Sequence, residues 1–267
     1  MLKKPEISLH TTTLWDYPSQ HYGRESQGDK EYAGVTPSHV IWNLLQRYTA
    51  KKDLVVDPMC GSGTTMDVAR DLERRALGYD LSPTRPDIFR ADARKLPLET
   101  GKADFVFLDP PYSTHIEYSE DPRCIGKLDA MDPAYYEAMA GVISEVARIL
   151  RPGHHMALYC SDSFRLKKPF CAIGFRLFGL LEQHFTPVDI VSVVRYNRTL
   201  KRRHYHTEAE KGNYMLRGFN YLFIMKKEVV ASAGRKSPEV SPAQGQERVG
   251  KSPEGASPRG KGGFRRR

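Results

Sequence analysis

A doubly wound α/β sheet is the fold this sequence predicts, and three observations predict it. Short apolar runs alternate with segments of helical period. Four of those runs lead into an aspartate: Leu54-Val55-Val56-Asp57, Leu77-Gly78-Tyr79-Asp80, Ile88-Phe89-Arg90-Ala91-Asp92 and Phe105-Val106-Phe107-Leu108-Asp109. A glycine turn, Pro58-Met59-Cys60-Gly61-Ser62-Gly63-Thr64-Thr65, joins the first run to the helix behind it. Ligands of such sheets bind outside the carboxyl ends of the strands, which is where all four acids fall.

In chain order, residues 1–35 are polar and aromatic, with Trp15, Tyr17, Tyr22 and Tyr32 among Gly, Ser and Asp. They show no period, so they read either as a loop that packs over the domain or folds on a ligand, or as a poorly ordered arm. Thr36-Pro37 opens a helix, a capping hydroxyl followed by a Pro suited to the first helical position, and Val40, Ile41, Leu44, Leu45 and Tyr48 form its apolar face. Leu54–Asp57 is a strand, the helix after the glycine turn runs to about Ala76, and Leu77–Asp80, Ile88–Asp92 and Phe105–Leu108 are the next three strands. Residues 113–132 form a polar loop. A helix from about Pro133 to Leu150 carries Tyr136, Met139, Val142, Ile143, Val146 and Ile149 at helical spacing and stops at Arg151-Pro152-Gly153. His155–Cys160 is a fifth strand, Phe170–His184 an apolar helix, Val188–Val194 a sixth strand and Tyr221–Met225 the last.

The chain of 267 residues is 40% hydrophobic and 27% charged, enough for one core of roughly 200 residues. Its net charge of +9 is uneven: residues 229–267 hold nine Lys/Arg against three Glu, +6, leaving +3 for the rest. That stretch is Ser/Pro/Gly-rich and cannot bury a core, so it reads as a disordered, solvated basic tail. The division is an arm, 1–35, a catalytic domain, 36–228, and the tail, 229–267. A basic balance favours a polyanionic partner. Cys60, Cys124, Cys160 and Cys171 lack metal spacing and read as reduced thiols of a cytoplasmic protein. No run of 18 apolar residues and no signal peptide is visible, so no membrane is expected.

Asp109-Pro110-Pro111-Tyr112 closes the most apolar strand. Two prolines donate no backbone hydrogen bonds and fix φ, so Asp109 and the Pro110 carbonyl read as bare acceptors aimed outward, beside the face of Tyr112. Two acceptors next to a stacking ring suit a planar group that carries an NH2. In the glycine turn, Gly61 and Gly63 let backbone approach a ligand and the next helix offers free N–H groups. No Lys precedes the hydroxyl pair, against a nucleotide-phosphate loop, and Met66 breaks the dinucleotide Gly-x-Gly-x-x-Gly pattern. Asp80, 19 residues after Gly61, can accept from both ribose hydroxyls, and Asp92 can reach an adenine amino group. Together they outline an adenosine site.

With these residues assembled, the chain resembles amino-methyltransferases that use S-adenosylmethionine (SAM), most closely the DNA adenine-N6 and cytosine-N4 methyltransferases. Asp57 to Thr65 resembles their cofactor motif and Asp109 to Tyr112 their catalytic motif, over about residues 36–227. The resemblance implies a mostly parallel, Rossmann-like methyltransferase sheet with an antiparallel last strand. It implies that Asp57, Gly61, Gly63 and Thr64 hold the methionine part and backbone of SAM, with Pro58, Cys60, Ser62 and Thr65 also in the cofactor site, Asp80 on the ribose and Asp92 on the adenine. Thr36 and its helix resemble the segment that closes over the methionine carboxylate. Asp109 and Pro110 would grip the target amino group, with Pro111 shaping the turn and Tyr112 stacking on a flipped base. No metal is expected. The cofactor motif precedes the catalytic one here, whereas many relatives with this glycine loop have the opposite order. Asp at the first catalytic position favours adenine. Expected partners are DNA before RNA and a cognate restriction nuclease.

An aromatic amine is a weak nucleophile because its lone pair is delocalised. Acceptors on its hydrogens stabilise the positive charge that develops on nitrogen, and the sulfonium already activates the methyl, so in-line transfer needs orientation above all. A base in a duplex must be turned out to be reached. Arg195, Arg198, Lys201, Arg202 and Arg203, interleaved with His204, Tyr205 and His206, are the candidate nucleic-acid contacts; the competing reading is a solvated hairpin loop with surface histidines. Cytosine N4 is the alternative target. An RNA guanine-N2 methyltransferase also fits Asp92-Ala93 and Leu96-Pro97-Leu98, but 35 residues ahead of the domain leave no room for a separate RNA-binding module. A non-catalytic nucleic-acid-binding relative is the reading from another class.

Overall fold

The computed structural model describes residues 7–229 apart from 18, 24, 33, 113, 115, 164–168 and 197. The tail expected from 229 onward lies, beyond Val229, outside the described residues. Eight strands form one sheet: β1 (Leu14–Trp15), β2 (Leu54–Asp57), β3 (Arg75–Asp80), β4 (Ile88–Arg90), β5 (Ala103–Leu108), β6 (Leu150–Cys160), β7 (Thr186–Val194) and β8 (Phe219–Lys226). The helices are α1 (Ser38–Tyr48), α2 (Thr64–Asp71), α3 (Pro133–Ile149), α4 (Ile173–Leu181), α5 (Arg198–Lys201) and α6 (Arg203–Gly212). The strand order is β1-β7-β8-β6-β5-β2-β3-β4. β8 is antiparallel to both β6 and β7, and the other pairings are parallel.

The two-residue period of the strands divides the core. Val55, Phe105, Phe107, Ala157, Leu222 and Ile224 pack with Ile41, Leu44 and Leu45 of α1 and Val68 of α2. Val56, Val106, Leu108, Met156, Leu158 and Phe223 pack with Met139, Val142, Ile143 and Val146 of α3 and Leu177 of α4. Burial on both faces is why the central strands read as continuous apolar runs. The chain winds outward from β2 through β3 and β4, then returns to β5 on the other side of β2. The switch point therefore lies between the ends of β2 and β5, at Asp57 and Asp109.

Several elements differ from the expectation. α2 ends at Asp71, short of Ala76, because Glu73 takes a left-handed φ of 60° and β3 begins at Arg75. β6 starts at Leu150 immediately after α3, and Gly153 (φ 83°) bends inside the strand rather than marking a loop. Leu14 and Trp15 pair with Ser192 and Val193 as an edge strand, and Trp15 and Tyr17 are buried in the α1 layer. The basic stretch after β7 is helical, α5 and α6, rather than a simple hairpin loop. Inside the loop 113–132, Ile125–Lys127 form a 3-10 turn with Cys124 and Ile125 buried. All four cysteines are buried and free. No helix among the described residues is long and apolar enough to cross a membrane.

Candidate active site

The end of β2 is tied to the start of α2. Asp57 is buried and accepts from the Thr65 hydroxyl at 2.6 Å and the Met59 N–H at 3.1 Å. Burial pushes its carboxyl up to about 7, against the pull of those two donors. Across the switch point, Asp109 accepts a short hydrogen bond from the Thr36 hydroxyl. Asp109 is therefore not the bare acceptor the Pro-Pro turn suggested. Thr36 does not cap α1, whose cap position is Pro37 with no side-chain bond. Burial raises the Asp109 carboxyl to about 7, Thr36 lowers it, and the nearby Asp57 raises it again. Pro111 is held from below, its carbonyl accepting from the Tyr135 hydroxyl at 2.9 Å.

The outer strand ends carry better-matched acids. Asp80 accepts from the Gly61 N–H at 3.0 Å and the Ser82 N–H at 2.8 Å. Asp92 lies two residues beyond β4 and is gripped by Arg94 at 2.9 and 2.6 Å. That guanidinium holds the Asp92 carboxyl below its usual range.

A second network, silent in the sequence, fixes the glycine turn from behind. Asp67, in the first turn of α2, receives Arg85 at 2.8 and 2.9 Å and the Gly28 N–H at 2.8 Å. Arg85 also bonds Asp87 at 2.9 and 2.7 Å. Gly63, at φ 80°, leaves no room for a Cβ because Arg85 lies against it. The Asp29 N–H donates to the Ser62 carbonyl at 2.8 Å, and a Cβ on Gly61 would meet the Tyr32 ring at 2.9 Å. Residues 28–32 thus strap the turn.

These groups enclose a cleft of about 950 Å³ including its open mouth. Thr36, Asp57, Pro58, Cys60, Gly61, Ser62, Thr64, Thr65, Asp80, Asp92, Asp109, Pro111 and Tyr112 line it. Gly63 and Pro110 do not line it: Gly63 backs onto Arg85, and Pro110 is buried. Among the described residues, the cleft wall holds four aspartates and one cation, Arg123, which is itself bonded to Asp121. In a basic protein this electronegative recess disfavours a polyphosphate and favours a cationic ligand. Sequence reasoning missed Tyr32, Met59, Tyr118, Ser119 and Arg123 in the wall. Only the aromatic character of the arm hinted at Tyr32.

Beyond the end of β5, Tyr112 is half-buried, and burial with the nearby Asp109 charge holds its hydroxyl well above the usual range. Arg195 donates to the Ser161 hydroxyl at 2.9 Å and lies close enough to oppose that shift. Lys201, Arg202 and Arg203 are exposed and Arg195 is half-buried, and none of the four lines the cleft. The side chain of Arg198 lies outside the described residues. His206 bonds the Leu200 carbonyl at 2.8 Å, and no group of three metal-ligating side chains occurs among the described residues.

Residues 3–90 match the model of a family of N6 and N4 methyltransferases described as DNA methylase. That stretch contains Thr36, the glycine turn and Asp80 but stops before Asp92 and Asp109. No curated protein matches the chain. Among solved structures, TrmN from Thermus thermophilus is 17% identical with a TM-score of 0.47, over 73% of this chain and 50% of its own, so this chain spans half of that one. A SAM-dependent methyltransferase from Methanosarcina mazei is 15% identical with a TM-score of 0.44, covering 70% of this chain and 98% of its own. A candidate DNA modification methylase, also from Thermus thermophilus, is 18% identical with a TM-score of 0.39, over 56% of this chain and 54% of its own.

Proposed function

We propose that this protein transfers a methyl group from SAM to the exocyclic amino group of a flipped base in DNA, with adenine N6 as the target. The observation that carries the reading is the electronegative cleft at the switch point, which joins the glycine turn to Asp109-Pro110-Pro111-Tyr112. The DNA methylase match over residues 3–90 supports it.

The residues present fit SAM. Its sulfonium and amino group are positive, and Asp57, Asp80, Asp92 and Asp109 supply the negative wall. Its ribose and adenine offer donors to Asp80 and Asp92, each of which keeps acceptor capacity beyond the bonds made within the chain. When bound, SAM supplies an activated methyl group. Asp109 accepts from the target NH2 and stabilises the charge that builds on nitrogen. Thr36 holds that carboxylate in place through its hydroxyl. Tyr135 holds Pro111, and through it the turn, in position. Tyr112 stacks on the flipped base. We assign catalysis to residues 36–228, with the arm strapping the cofactor loop and Arg195, Lys201, Arg202 and Arg203 facing DNA.

Transfer of a tritiated methyl to duplex DNA, with the digested nucleosides identified by mass spectrometry, tests this. N6-methyladenine is expected. N4-methylcytosine would move the target base, N2-methylguanine in RNA would overturn the DNA assignment, and SAM binding without transfer to any nucleic acid would leave a non-catalytic relative.

A further inference from the structure

At the carboxyl edge of the sheet, on its β6–β8–β7 side, lies an aromatic surface that the reaction above does not use. β8 runs antiparallel, so its first residues reach that edge: Tyr221 pairs with Cys160, the last residue of β6, and Phe219 with Val194, the last of β7. Phe219 is 42% exposed, and its ring meets Tyr221 edge-on at 5.0 Å. Phe175 of α4 is 70% exposed, and its ring also meets Tyr221 edge-on, at 5.9 Å. Phe170 is 49% exposed, with the Arg217 guanidinium over its face at 5.1 Å.

These rings are held, not frayed. Asp162 is buried and receives the Tyr221 hydroxyl at 3.0 Å and the Gly174 N–H at 3.0 Å, which fixes β8 and the start of α4 to one acid. A Cβ at Gly174 would come within 2.5 Å of the Tyr221 ring, so the glycine lets the helix lie directly on it. The surface also continues into the catalytic turn. Arg176, next to Phe175, sits over Tyr136 at 5.1 Å, and Tyr136 packs on Tyr135, whose hydroxyl holds Pro111.

Burying rings this large would ordinarily contribute to stability, and here they are left in water at the carboxyl edge of the sheet. Cations sit among them, and the acid bonded to Tyr221 is buried. Aromatic faces interleaved with guanidinium groups suit bases and phosphates more than an apolar protein surface. We propose that Phe170, Phe175 and Phe219, with Arg217 and with Tyr221 as the ring that holds them in place, form a stacking surface for unpaired bases of the DNA strand that enters the cleft, a proposal that rests on the nucleic-acid reading above. When one base is flipped out, its neighbours lose a stacking partner, and these rings replace it.

The test compares fluorescence-anisotropy titrations of two labelled oligonucleotides of equal length, oligodeoxythymidylate and its abasic counterpart, which has the same phosphates without bases. The full chain should prefer the first. Phe175→Ala and Phe219→Ala should each weaken that binding roughly tenfold, leave the abasic affinity and SAM affinity unchanged, and Phe175→Trp should restore it. Equal weakening of both oligonucleotides would reduce the surface to a charge effect and overturn the proposal. So would unchanged binding in variants that still methylate duplex DNA, or loss of self-association in sedimentation of Phe175→Ala. Base preference through these rings without methyl transfer would instead overturn the methyltransferase reading and leave the surface standing.

Discussion

On the β3–β4 side of the cleft and behind the glycine turn, the carboxylates sit against strong donors. Asp80 takes two backbone N–H groups, Asp92 takes Arg94, and Asp67 behind the glycine turn takes Arg85 and Gly28. At the switch point, Asp57 and Asp109 are each raised by burial to about 7, and Asp109 is bonded to the hydroxyl of Thr36. The first half is a finished template, charged and rigid. The second has fewer strong donors, and under the proposed reaction the N–H groups of a ligand would complete it. Complementarity to a developing charge, rather than to the ground state, is what accelerates a reaction, and under that proposal the under-satisfied half is where the charge would build.

The largest effect should come from removing the incomplete half's acceptor. Asp109→Ala should lower methyl transfer by about 10²–10³-fold, as loss of one preorganised charge-stabilising group does elsewhere, with SAM affinity by calorimetry near normal. Comparable loss of SAM affinity would mean that Asp109 belongs to the cofactor half and erase the contrast.

The same acid should cost stability. Its carboxyl rises from 3.8 to about 7 on folding. Below about pH 4 it is protonated in both states and contributes nothing. Between about pH 4 and 7 the unfolded chain loses the proton first, so stability falls as pH rises, and above 7 the loss is complete. Asp109→Asn should therefore raise stability on the order of 2–4 kcal/mol at pH 8 but little at pH 4. Urea midpoints at the two pH values check this; equal gains at both would locate the effect in packing.

The finished half can be broken from behind. Arg85 and Asp67 side chains are 20% and 19% exposed. Arg85→Ala leaves Asp67 partly buried without its cation and should cost about 1–3 kcal/mol in thermal or urea unfolding, less than a fully buried pair. It should also weaken SAM binding by loosening the glycine turn. Adding Asp67→Asn should cost less than the two single changes together. Full additivity would mean the pair does not act as a clamp.

This contrast was only half legible in the sequence. Asp57, Asp80 and Asp109 could be read because parallel strands place their carboxyl ends together, and a terminal acid after an apolar run marks that end. The Asp67–Arg85 clamp spans 18 residues and carries no periodic signal. Thr36 looked like a helix cap because its local neighbours permit one, whereas its partner, Asp109, is 73 residues away. The end of α2 was missed because Glu73 adopts a positive φ without the glycine that usually announces it. The edge strand Leu14–Trp15 is two residues long, too short to show alternation. In the basic stretch, α6 buries only Ala209, so no apolar stripe revealed a helix.

The smallest change should be the most diagnostic. Thr36→Val removes the hydroxyl that bonds Asp109 while keeping the shape of the side chain. That hydroxyl lowers the Asp109 carboxyl against the effect of burial. Without it, the carboxyl should rise further, and a larger fraction of the enzyme should carry a protonated Asp109 at neutral pH. A protonated carboxyl has less acceptor capacity and no negative charge to offer the reacting nitrogen. The acid limb of kcat/KM against pH should therefore move upward by about one pH unit, since a hydrogen bond to a charged group contributes about 1.5–3 kcal/mol and one unit corresponds to about 1.4. At pH 9, where Asp109 is ionised in both proteins, the variant should work nearly as well as the parent. Thr36→Ser restores a hydroxyl and should return the limb to its original place. A limb that stays put in Thr36→Val, with activity lowered equally at every pH, would show that Thr36 shapes the cofactor half instead, and the boundary between the two halves would then have to be drawn on the other side of α1.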